Sequence, residues 1–111
     1  MNSVLYSIPL KSGCLEQYQK FMQVASTEKS KEWRDMLDRY DIVNVKVFHK
    51  VIKESDYILV FHEVGPTFPE KMQEWENSQH PFDQWFNKQI KSMAGDIGPE
   101  TASAMPIVDF Q

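Results

Sequence analysis

The periodicity of apolar positions changes several times along the chain, and each change marks an element. Residues 3–10 (SVLYSIPL) form a short, nearly continuous apolar run ended by Pro9, as expected of a strand buried on both faces. Lys11-Ser12-Gly13 breaks that run, and Ser12 or Gly13 is placed to cap a helix carrying Glu16 in its first turn. Leu15, Tyr18, Phe21, Met22 and Ala25 then recur at three- and four-residue steps, which predicts one apolar helix stripe. The polar stretch 26–32 (STEKSKE) interrupts it, and the stripe resumes at Trp33, Met36, Leu37 and Tyr40. Either one long helix or two helices meeting near residues 26–30 satisfies this pattern.

Residues 43–50 and 57–64 alternate with period two and predict two strands, joined by a hairpin loop at 53–56. Thr67-Phe68-Pro69-Glu70 has the form of a capping box and should open a short helix through Trp75. Pro81 starts another helix, with Phe82, Trp85, Phe86, Gln89, Ile90 and Met93 on one face and Gly95 as its stop. Residues 105–110 (MPIVDF) predict a last strand, and Pro106 confines it to a sheet edge. The order β-α-β-β-α-β predicts an α+β, ferredoxin-like domain, a four-stranded antiparallel sheet with helices on one face, spanning residues 1–111.

If Ile52 pairs with Tyr57 across the hairpin, alternation puts Val43, Val45, Val47, His49, Ile58, Val60, His62 and Val64 on one face. That β-branched face suits packing under helices. The other face carries Lys46, Phe48, Tyr57, Leu59, Phe61 and Glu63, too apolar for water. Two copies stacking these faces form a barrel-like homodimer, and that pairing is the first expected partner.

Composition sets bounds on this picture. At 111 residues the chain has room for one domain, able to bury roughly two-thirds of its unfolded surface. The net charge is −4 with charges interspersed, so no basic stripe is present for nucleic acid. A single cysteine, Cys14, excludes an internal disulfide or a cysteine zinc site, and it agrees with a cytoplasmic setting. No run approaches the ~18 apolar residues that a membrane span requires.

The chain resembles the dimeric α+β-barrel superfamily, with L-rhamnose mutarotase as a more distant relative. The residues that carry the likeness are Ile8-Pro9-Leu10-Lys11-Ser12-Gly13 leading into Glu16-Gln17-Tyr18, then Phe61-His62-Glu63-Val64, and Ser78 through Phe86 (SQHPFDQWF). The resemblance implies a cofactor-free enzyme acting on a small polar metabolite by isomerisation or mutarotation. Tyr18 matches the tyrosine of the mutarotase pattern. Met22 stands where that pattern has a proton-transferring histidine, and Trp85-Phe86 stands where it has a tryptophan pair.

Candidate catalytic residues are His80 at a helix start, Glu63 on the open sheet face and Tyr18 in the first helix. Lys46, Phe48, Phe61 and Trp85 are the candidate ligand contacts. Each also has a plainer role: His80-Pro81-x-Asp83 as helix-start chemistry, Lys46 and Glu63 as a cross-strand ion pair, Tyr18 and Trp85 as core. His49 and His62 share a face, but no third ligand converges with them by spacing, so no metal is expected. A non-catalytic metabolite-binding or structural dimer and a cofactor-independent monooxygenase stand as alternatives.

Overall fold

The computed structural model describes residues 2–95, 104 and 106–110. The chain runs β1 (Asn2–Pro9), α1 (Leu15–Ser26), α2 (Ser30–Arg39), β2 (Ile42–Ile52), β3 (Ser55–Val64), α3 (Phe68–Met72), a 3-10 turn (Trp75–Asn77) and α4 (Pro81–Met93). The three strands make an antiparallel sheet in the order β1-β3-β2, with β3 in the centre. The architecture is α+β.

A fourth strand over 105–110 is not present among the described residues. Ala104 exchanges two backbone hydrogen bonds with Leu5, of 3.0 and 2.7 Å, on the free edge of β1. Among the described residues Pro106–Phe110 shows no strand pairing, and Ile107, Val108 and Phe110 are exposed; Met105 lies outside the described residues. Proline at 106 removes the donor that would extend the ladder. β1 is buried on one face rather than two: Val4 is buried beneath the helices, while Leu5, paired with Phe61 on the opposite face of the sheet, is exposed.

The helical stripe breaks into two helices. After Ser26 the chain turns through Thr27–Lys29, where the hydroxyls of Ser26 and Thr27 donate back to the Met22 and Gln23 carbonyls. Such back-bonding satisfies helix-end acceptors and competes with continuation. Cys14, rather than Ser12 or Gly13, is the N-cap of α1, and no side chain caps it. The Thr67 hydroxyl does not cap α3; it donates to Asp41 at 2.7 Å, and α3 ends at Met72 instead of reaching Trp75. α4 ends two residues before Gly95, whose N–H donates to the Pro9 carbonyl at 2.7 Å.

In the hairpin, Ile52 pairs with Ser55 and not with Tyr57, leaving Lys53-Glu54 as a two-residue loop. Both have positive φ (50° and 68°), the conformation that a type I′ turn imposes and that matches strand twist. The shift of two residues leaves every face assignment unchanged, since side chains alternate with period two. One assignment does change. A bulge between Ile42 and Asn44 turns Val43 out to 50% exposure, and Ile42 takes the buried place beneath the helices. The two-residue shift in register makes Asn44 the partner of Glu63, to whose Oε1 its side-chain amide donates at 3.2 Å, so Lys46 pairs with Phe61 and lies only diagonal to Glu63.

The core lies between the sheet and the helix layer. Phe21, Phe82 and Phe86 pack edge-on or tilted with centroids 4.9–5.9 Å apart, joined by Met36, Leu37 and Met93. Leu5, Phe48 and Ile52 stay 38–51% exposed on the opposite face of the sheet.

Candidate functional site

The helix layer does not close fully on the sheet. A cavity of about 420 Å³ lies between them. Its floor is the helix face of the sheet, including Tyr6, Val47, Val60 and His62. Tyr18 and Met22 of α1, Trp33 and Met36 of α2, and Phe86 and Ile90 of α4 form the roof. Short β-branched side chains below and planar rings above leave the volume between them. Met72 and Trp75, from the 68–77 segment, form the wall at one end. Trp75 is held there by edge contacts to Tyr40 and Phe86, with centroids at 5.4 and 6.0 Å.

Most of this lining is apolar, and the few polar groups fall into two places. At the floor, His62 is buried, and its Nδ1 has no hydrogen-bond partner among the described residues. Tyr6 and Phe68 meet its ring edge-on at 5.4 and 6.1 Å. Burial lowers the His62 pKa to about 4, so the ring is neutral at physiological pH. Burial also raises the Tyr6 and Tyr18 phenols above their ordinary value. At the mouth stand Glu76, Asn87 and Lys91, with Lys91 Nζ 3.0 Å from Glu76 Oε2.

The helices above the cavity are pinned by a buried carboxylate. Asp83 is 1% exposed and accepts from Arg39 Nη1 and Nη2 at 2.8 and 2.7 Å. The hydroxyls of Tyr40 and Ser78 donate to it at 2.8 and 2.7 Å. Desolvation would raise its pKa, but the hydrogen bonds from Arg39, Ser78 and Tyr40 outweigh that and hold it low. Asp83 therefore ties α4 to α2 and to the turn before α4, a role beyond the helix-dipole complement expected of it.

The residues expected to form one site occupy four places. Tyr18 lines the cavity. Lys46, Phe48, Phe61 and Glu63 lie together on the open sheet face, away from the helices. His80 is the N-cap of α4, exposed, with Nε2 3.8 Å from Asp35. Trp85 packs against Phe21 and Phe82 outside the cavity, with Lys29 Nζ 4.8 Å from its ring centre. His49 is remote from His62 in role, pairing with Asp56 at 2.7 Å at the exposed end of the hairpin. Among the described residues no group of three acidic, histidine or cysteine side chains could hold a metal, and no helix is long and apolar enough to cross a membrane.

Sequence pairs His62 with His49 as a possible metal site and does not mark it as a residue of this cavity. A signal was present: it alternates with Ile58, Val60 and Val64 on the face assigned to the helices. A histidine flanked by such residues is buried, and a buried imidazole needs a partner. Comparison with protein-family models and with curated proteins finds no match to this chain.

Proposed function

We propose that this domain binds a small, largely apolar molecule in the cavity between its sheet and its helices. The observation that carries this reading is the cavity itself: about 420 Å³, aromatic and aliphatic, with His62 among the residues of its floor. Ligand sites commonly enclose ~300–1,000 Å³ of apolar surface with a few placed polar groups. Binding suits the lining better than proton-transfer catalysis. A general acid or base works best with a pKa near the operating pH. Burial moves Tyr18 up and His62 down, both away from neutrality. A mutarotase-like isomerase or a monooxygenase is thus the weaker reading, and it would rest on Tyr18 and His62 rather than on His80 or Glu63.

The ligand-binding domain is, in this proposal, a ferredoxin-like unit that dimerises through its open sheet face. Support comes from Leu5, Phe48 and Ile52 exposed on that face, and from Ala104 lying against β1 where a fourth strand would run. Phe48→Asp then converts dimer to monomer in sedimentation equilibrium, and a wild-type monomer at all concentrations refutes the pairing.

Met22, Met36 and Met72 line the cavity and make the binding reading directly testable. With methyl-labelled methionine, titration with naphthalene should shift these three resonances saturably and leave Met93, which does not line the cavity, in place. Val60→Phe and Val47→Phe fill the floor and should each abolish the response while the fold persists. Unmoved methionine signals in the wild type refute the reading.

A further inference from the structure

The mouth of the cavity carries charge that the apolar interior does not explain. Lys91 and Asn87 reach it from α4, and Glu76 reaches it from the 3-10 turn. A shallower recess of about 260 Å³ adjoins it, sharing Trp75, Glu76, Asn87 and Lys91 and adding Lys88. Asp83 also borders that recess, but its charge is already matched by Arg39. The rim therefore presents two lysines against one carboxylate, Glu76, which pairs with Lys91, and the remaining positive charge favours an anion over a cation.

From this we infer that the ligand is an amphipathic monocarboxylate, its apolar body in the cavity and its carboxylate on Lys91 in place of Glu76. The inference rests on the cavity reading above and adds the chemistry of the head group. The Lys91–Glu76 pair holds the rim while being easy to exchange. Both side chains are more than half exposed, and ion pairs so solvated contribute about 0–1 kcal/mol. An incoming carboxylate accepts from the same Nζ that Glu76 now occupies, and the Asn87 amide beside it can donate as well. The displaced Glu76 returns to water at no loss of solvation. The anchored end stays hydrated at the mouth, so no charge enters the apolar interior, where it would go unpaired.

Three ten-carbon probes that differ only in the head group separate this inference from the one beneath it. Decanoate, 1-decanol and decylammonium are titrated into the full chain by calorimetry, below their aggregation limits, with the methionine methyl signals as site readout. Decanoate should bind about tenfold more tightly than decanol, a gap of about 1.4 kcal/mol, and more tightly still than decylammonium. Lys91→Gln should erase the decanoate preference and leave decanol unchanged. Glu76→Gln, which frees Lys91, should strengthen decanoate several-fold. Equal binding of decanoate and decanol overturns the head-group assignment and leaves the cavity reading standing, as does preference for decylammonium. Binding of none of the three overturns both.

Discussion

His62 offers the sharpest quantitative test, because one buried imidazole links the cavity to stability. Its pKa falls from 6.5 when solvated to about 4 in the fold, through loss of hydration. The unfolded chain therefore binds a proton between these values while the native state does not. Stability rises with pH wherever the unfolded state holds more protons. The His62 contribution is thus fully present above pH 6.5 and is lost progressively as pH falls toward 4. Each pH unit is worth about 1.4 kcal/mol, so the whole window amounts to about 3 kcal/mol. From pH 7.5 to pH 5 the loss should be about 2 kcal/mol, a large share of a small domain's stability.

Urea unfolding at half-unit intervals across that range measures the effect, with His62→Phe as reference. Phenylalanine keeps an aromatic ring against Tyr6 and Phe68 but carries no proton. All other groups are common to both proteins and cancel in the difference. The wild type should lose about 2 kcal/mol more than the variant between pH 7.5 and pH 5. Parallel pH profiles would refute the burial of a neutral imidazole.

Other substitutions probe the frame that holds the cavity. Gly65→Ala places a methyl group on the Asp41 carboxylate and should cost about 2 kcal/mol or more in chemical denaturation; in an Asp41→Gly background the same change should cost much less. Asp83→Asn leaves Arg39 facing a neutral amide, and a loss of about 3 kcal/mol is expected by calorimetric melting, moderated because Arg39 is partly solvated. Lys53→Asn with Glu54→Gly relieves two left-handed residues in the hairpin loop, so the melting temperature should rise by several degrees, for about 1 kcal/mol.

Alternation and helical spacing made much of the fold legible in advance. Tyr18, Phe21 and Ala25, then Met36 and Leu37, then Phe82, Phe86 and Met93 are buried as their spacing required. The sheet faces are the same in the expected register and in the observed one two residues away, because the pleat repeats every two residues. Phe48 and Phe61 stay off the helix layer for the same reason. Local pattern could not reveal the bulge that exposes Val43, since that depends on how β2 meets the end of β3. Nor could it show that 106–110 has no strand pairing among the described residues, because a strand needs a neighbour as well as a propensity.

The chain's own residues therefore determined which side chains face inward wherever the register runs unbroken, since period and hydrophobicity set burial there. Tertiary structure decided what those side chains meet. Arg39 and Tyr40 reach Asp83 across more than 40 residues, and Lys91 reaches Glu76 across 15, through contacts that no local spacing encodes. The cavity has the same origin. Its volume is the mismatch between short valines on one layer and broad aromatic rings on another, and such a mismatch exists only once the layers are packed together.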